Sequence, residues 1–188
     1  MCARGGVVVT ASSPATEVGV EILKRGGNAV DAAVAVGFAL AVTYPQAGNI
    51  GGGGFMLVRL QSGETSFIDF REKAPLAASR DMYLDSLGNV IENRSLLGAM
   101  ACGVPGTVAG LYRAQKLYGN LTWREVIAPA ISLARDGFAV GRPLAASLER
   151  LQSYKERFPA LAEFMRPDGS PLQAGDTLRQ EVLAGTLD

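Results

Sequence analysis

Asp69-Phe70-Arg71-Glu72-Lys73 crowds four charges into one short run, followed by Ala74-Pro75, at the end of a stretch that reads as a strand. By strand period Asp69 and Arg71 fall on one face, opposite Phe70. An arginine at a strand end can project into a cleft and hold a carboxylate through two parallel hydrogen bonds. Charge-assisted bonds of this kind contribute about 1.5–3 kcal/mol each. Spacing alone leaves a second account open and favours it: a local ion pair of Arg71 with Glu72 or Asp69.

The other chemistry-bearing patterns are weaker. Gly51 to Gly54 invites comparison with a phosphate loop, but no Lys-Ser/Thr follows, a helix precedes the run and a strand leaves it. The dinucleotide spacing fails as well, because Met56 stands where a third glycine belongs. Four adjacent glycines are better explained by close backbone packing. Asp81 and Asp85 are spaced as neighbours on a helix, and such like charges mark a solvated face. Asn93-Arg94-Ser95 matches the N-x-S rule and reads as loop.

Absences are more decisive. The sequence has no histidine, which removes every Ser-His or Cys-His arrangement and every His-ligated metal site within these 188 residues. Cys2 and Cys102 lie far apart, form no CxxC pair and read as incidental thiols. No metal and no cofactor is called for.

Hydrophobic residues make up 48 % of the chain and charged residues 19 %, so it can build a core and does not read as disordered. Lys plus Arg equals 18 and Asp plus Glu equals 18, which gives no electrostatic reason to expect nucleic acid or an anionic membrane as partner. Met1-Cys2-Ala3-Arg4 enters a glycine pair with no apolar stretch typical of a signal peptide. The longest uncharged apolar run, Ala32 to Thr43 and on to Tyr44, is too short to span a bilayer.

The elements that must position Arg71 follow from periodicity. Val7 to Ala11 reads as a buried strand. Ser13-Pro14 opens a helix with a hydroxyl cap and a proline in the first turn, with Val18, Ile22 and Leu23 on its apolar face and Gly26-Gly27 at its end. Asn28 caps a second helix with Asp31 in its first turn. From Ala32 to Thr43 that helix carries no charge and reads as buried on most sides. Phe55–Leu60 and Thr65–Phe70 form a hairpin about Ser62-Gly63, apolar on both faces and so expected to be covered on both. The remainder reads as helical: Pro105 to Tyr118, a segment after the Thr122-x-x-Glu125 capping box, Pro143–Glu156 and Asp176–Leu187, with a turn at Asp168-Gly169. The chain stops at Asp188 inside a helical pattern, which reads as a fragment boundary.

Several ordered stretches resemble the bacterial γ-glutamyltranspeptidase family. They are Gly26-Gly27-Asn28-Ala29-Val30-Asp31-Ala32-Ala33, Pro45-Gln46-Ala47-Gly48-Asn49-Ile50 with the glycine run and Phe55-Met56, and Phe70-Arg71-Glu72-Lys73-Ala74-Pro75. Gly103-Val104-Pro105-Gly106-Thr107-Val108-Ala109-Gly110, Ala134-Arg135-Asp136-Gly137-Phe138 and Gly175-Asp176-Thr177-Leu178 complete the set. The similarity extends in order over nearly the whole chain.

The resemblance implies an α/β (α+β) architecture, the αββα sandwich of N-terminal nucleophile hydrolases. Residues 1–188 would form a single partial domain, the N-terminal part of the large subunit. It implies a precursor that cleaves itself, and a small catalytic subunit as partner. The nucleophile would be the N-terminal threonine of that subunit, with its own amine as general base. Thr107, Thr122 and Thr186 do not stand in that motif, so no catalytic residue is assigned in this chain. The substrate would be a γ-glutamyl amide such as glutathione, with transfer to water or an amino acid. Arg71 would bind the α-carboxylate of the glutamyl group, and Glu72 would support Arg71. A periplasmic or secreted location is implied by resemblance only. The alternatives are a related acylase, acting on a β-lactam side chain or on poly-γ-glutamate, and a non-catalytic fragment.

Overall fold

The computed structural model describes residues 5–188; Cys2 lies outside them. The fold is α+β, with six α-helices and two small two-stranded sheets among the described residues. The chain divides into two compact units: residues up to Asn49 with Tyr112–Asp188, and Ile50–Leu111.

The first unit is mainly helical. Helix α1 (Ser13–Lys24) buries Ala15, Val18 and Ile22. Its cap is Ser12 and not Ser13; the Ser12 hydroxyl is drawn away to donate to Thr43 Oγ1 at 2.8 Å, so no side chain caps the helix. Helix α2 (Ala29–Thr43) has the expected cap, in which the Asn28 side chain accepts from Val30 and Asp31 and the Asp31 carboxylate accepts the Asn28 N–H at 2.7 Å. Two thirds of its uncharged run is buried, with Ala33 exposed. Helix α4 (Trp123–Asp136) carries the Thr122–Glu125 capping box, and Trp123 meets Phe38 of α2 edge to face at 5.4 Å.

A completely buried carboxylate ties these helices together. Asp31 accepts from Gln115 Nε2 at 2.6 Å and from the N–H groups of Asn120 and Leu121 at 3.0–3.1 Å, besides that of Asn28. The turn between α3 (Thr107–Tyr118) and α4 is thereby held to the first turn of α2. Burial pushes the Asp31 carboxyl up, but the donors from Gln115, Asn28, Asn120 and Leu121 outweigh it and leave the group below its ordinary value.

Three segments depart from the sequence reading. Val7 to Ala11 forms no strand, because no described segment pairs with it, and Val7 and Val9 are exposed. Helix α5 is confined to Arg142–Glu149, with a 3-10 turn at Gln152–Tyr154. Asp176–Leu187 is not one helix. Thr177–Leu178 is strand β4, paired with β3 (Phe138–Ala139), and helix α6 (Glu181–Leu187) begins only after it. Asp176 is taken out of helical geometry by a two-pronged pair with Arg166, at 2.7 and 3.0 Å. Asp168-Gly169 is the expected turn, with Gly169 at φ +80.

The second unit is built on the hairpin of β1 (Phe55–Arg59) and β2 (Thr65–Asp69), in a register that sets Phe55 opposite Asp69 and Leu57 opposite Phe67. One face buries Val58 and Ile68. The other carries Phe55, Leu57 and Phe67 at 59 %, 76 % and 62 % exposure. The expected cover on both faces is therefore not supplied within this unit, where no element lies over that side. Asp81 and Asp85 are solvated as expected, but they lie in turns and not on a helix, and Asp85 accepts from the N–H groups of Leu87 and Asn89. Asn93 sits in a turn at φ +59. The Cys102 thiol is free and exposed.

Candidate functional site

Arg71 lies two residues beyond Asp69, the last residue of β2, and keeps the strand's alternation, on the side of Asp69 and Phe67. Its backbone is fixed from three directions within the second unit. The ladder runs one pair past the strands, with Phe70 N–H donating to Gly54 O at 3.0 Å and Gly54 N–H returning to Phe70 O at 3.3 Å. The Asp69 carboxylate accepts the Arg71 N–H at 3.0 Å. Beyond the arginine, Lys73 and Val104 exchange both backbone hydrogen bonds, at 3.2 and 2.8 Å.

The glycines explain how these backbones approach so closely. A Cβ on Gly53 would lie 2.5 Å from the Phe70 carbonyl oxygen and 2.9 Å from Arg71 Cα. A Cβ on Gly106 would collide with the Phe70 carbonyl, and one on Gly110 with the Phe70 ring. Gly106 and Thr107 also donate to the Gly52 carbonyl, at 2.8 and 3.1 Å. The glycine run and the Gly103–Gly110 motif therefore form one cradle around Phe70-Arg71. This is the backbone packing expected of four adjacent glycines, and no phosphate site.

The Arg71 side chain is 58 % exposed, and its Nη1 lies 3.2 Å from Glu72 Oε2. The Glu72 side chain is 29 % exposed, and its Oε2 is shielded from solvent with no donor aligned on it as a hydrogen bond. The guanidinium is thus the counter-charge of Glu72 and leaves most of its own donors turned to solvent. On its other side the guanidinium carbon lies 6.0 Å from the centre of the Phe55 ring. The ion pair foreseen from spacing exists with Glu72, and it coexists with a guanidinium open to solvent. Of the two partners that spacing offered, Glu72 meets the Arg71 guanidinium and Asp69 meets only its backbone N–H. The sequence reading missed Phe55 and the three-glycine cradle, although the hairpin register, once drawn, sets Phe55 beside the arginine.

Among the described residues no cluster of His, Cys, Asp and Glu could hold a metal ion, and no helix is long and apolar enough to cross a membrane. Thr122 is committed to capping α4, and the Thr186 hydroxyl donates within α6 to Val182 O at 2.9 Å.

A shielded carboxylate thus lies beside an exposed arginine on a strand end gripped by glycines. The order of motifs around it is that of one family. Residues 15–188 match the family model described as gamma-glutamyltranspeptidase. The chain is 53 % identical over 190 residues to a glutathione hydrolase proenzyme of Escherichia coli (strain K12), an alignment covering 99 % of this chain and 32 % of the relative. It superposes on the crystal structure of Helicobacter pylori gamma-glutamyltranspeptidase with a TM-score of 0.95 at 43 % identity, covering 100 % of this chain and 54 % of that one. A cephalosporin acylase from Bacillus halodurans is more distant, with a TM-score of 0.79 at 26 % identity, covering 100 % of this chain and 37 % of the other. The chain belongs to the γ-glutamyltranspeptidase family. It spans about a third of the length of the curated relatives it matches.

Proposed function

We propose that residues 1–188 are the N-terminal part of the large subunit of a γ-glutamyl transferase/hydrolase. They form a single partial domain that recognises substrate and holds no nucleophile. The complete protein cleaves γ-glutamyl amides such as glutathione. A threonine in the small catalytic subunit of the same precursor takes the γ-glutamyl group, the amine leaves with a proton, and water or an amino acid then releases the acyl group. Arg71 binds the α-carboxylate of the glutamyl moiety, and Glu72 orients Arg71. The protein acts in the periplasm or outside the cell, without a nucleic-acid or membrane partner.

The observation that carries this reading is the Arg71 guanidinium, exposed at 58 % yet tethered by Glu72 at 3.2 Å. A cationic fork held in place but not consumed by its neighbour suits a carboxylate ligand. The test is Arg71→Ala in the complete precursor, with kinetics on a γ-glutamyl anilide and a gel for subunit processing. KM rises while self-cleavage continues; unchanged KM would remove Arg71 from the substrate site. Residues 1–188 purified alone turn over no substrate, and measurable turnover would overturn the division of labour.

The likeness to a cephalosporin acylase supports a second reading, an acylase acting on a β-lactam side chain. A glutaryl amide, which keeps the terminal carboxylate of the glutamyl substrate but lacks its α-amino group, separates the two. Preference for the glutaryl amide favours the acylase.

A further inference from the structure

We infer that Phe55 is a positioning residue for substrate recognition, its ring forming the platform on which the Arg71 guanidinium is held. The inference rests on the reading of Arg71 as the carboxylate-binding residue.

The register makes the contact a consequence of the hairpin. Phe55 stands opposite Asp69, so Arg71, two positions on and on the same face, is its diagonal neighbour. Diagonal positions on one face of an antiparallel pair are within reach of aromatic and long side chains. The guanidinium carbon is 6.0 Å from the Phe55 centroid, and beyond it the Phe55 and Phe67 rings stack at 5.6 Å with 19° between their planes. Arg71, Phe55 and Phe67 thus form one column on the exposed face of the sheet. Phe55, 59 % exposed at the strand's first position, packs on Phe67 and leaves much of its ring open. The contact with Arg71 gives that open part a role.

Without the ring, an arginine with several rotatable bonds would be fixed only by Glu72. That carboxylate restrains it at one nitrogen, Nη1. The ring restrains the plane from a second direction, through the attraction of a cation to an aromatic face. A guanidinium so oriented offers both donors of its fork to a carboxylate without first losing rotamer freedom.

The test uses the complete, self-processing protein with four variants: Phe55→Leu, which keeps apolar bulk and removes the π face; Phe55→Tyr, which keeps it; Phe55→Met as a second apolar variant should Phe55→Leu fail to process; and Arg71→Ala. Phe55→Leu raises KM for a γ-glutamyl anilide about two- to fivefold, the factor a cation–π contact supplies, with kcat unchanged. Phe55→Tyr restores KM. Turnover of the corresponding anilide without an α-carboxylate is the same in wild type, Phe55→Leu and Phe55→Tyr. If Arg71→Ala raises KM while Phe55→Leu and Phe55→Met do not, the platform is overturned and the Arg71 reading stands. If Arg71→Ala leaves KM unchanged, the substrate reading itself falls and the platform with it. A Phe55→Leu effect of equal size on the substrate lacking the carboxylate overturns the platform as well.

Discussion

Gly106 lies against the carbonyl group of Phe70 with no space for a Cβ between them. The contact places the start of α3 against the peptide that leads into Arg71, and the Gly106 N–H is already committed to Gly52 O at 2.8 Å. Because backbone meets backbone, neither side can yield by changing a rotamer. Gly106→Ala in the complete protein therefore costs about 1–3 kcal/mol of stability, as overpacking does. It also displaces Arg71, so KM for a γ-glutamyl anilide rises more than it does for Gly63→Ala. Gly63 has open space around it but φ +91, so that control separates backbone strain at a distance from displacement at the site. Thermal unfolding and kinetics on both variants check this, and equal KM values would refute the cradle.

The pair of Arg71 and Glu72 makes two different demands. Arg71→Lys keeps the charge and loses the planar fork, so KM rises about tenfold, the cost of one charge-assisted bond. Glu72→Gln keeps the shape and removes the counter-charge. The pair is partly exposed, and such pairs contribute about 0.2–1 kcal/mol, so KM rises by no more than about fivefold and the difference from wild type shrinks in high salt. Glu72→Gln equal in effect to Arg71→Lys would mean that Glu72 touches substrate directly.

The legibility of this chain varied with the range of the interaction that decides each feature. The Asn28 cap and the Thr122–Glu125 capping box were legible because a cap is settled within four residues. The hairpin was legible from Ser62-Gly63 and its flanking apolar runs. Val7 to Ala11 was misread because a strand exists only through its partner, and hydrophobic pattern contains no partner. Asp176–Leu187 was misread because Asp176 serves Arg166, ten residues earlier, in place of capping a helix at its own position. At the site, Arg71 and Glu72 were legible as neighbours in sequence. Phe55 and Gly106 reach Arg71 only through strand register and packing, so the motif alone could not nominate them.

The Arg166–Asp176 pair closes the segment between α5 and β4. Asp176 also accepts the Gln173 N–H at 2.7 Å, and hydrogen bonds from Arg166 hold its carboxyl below the ordinary range. Arg166→Ala leaves that carboxylate without its cation and loosens residues 151–175. Limited proteolysis of the complete protein cuts this segment faster in the variant than in wild type, with the hairpin of β1 and β2 unaffected. Identical cleavage patterns would show that the pair does not restrain the segment.

Asp31 makes a prediction with a definite sign in pH. Its carboxyl lies below the ordinary value of 3.8 in the folded chain because the donors from Gln115, Asn28, Asn120 and Leu121 prevail over burial. The unfolded chain therefore takes up the proton first as pH falls. The stabilisation is fully present above the unfolded value, about 3.9, and is lost as pH drops through the lower folded value. Asp31→Asn places an amide where the carboxylate oxygens accept four donors, leaving buried N–H groups unmet at about 1–3 kcal/mol each. Urea unfolding of the complete protein and the variant at pH 7 gives a gap of about 2–4 kcal/mol. That gap narrows when both are measured below pH 4, since wild type alone loses this contribution there. A gap that stays constant from neutral to acid pH would mean that the carboxylate's charge is not what joins α2 to the turn before α4.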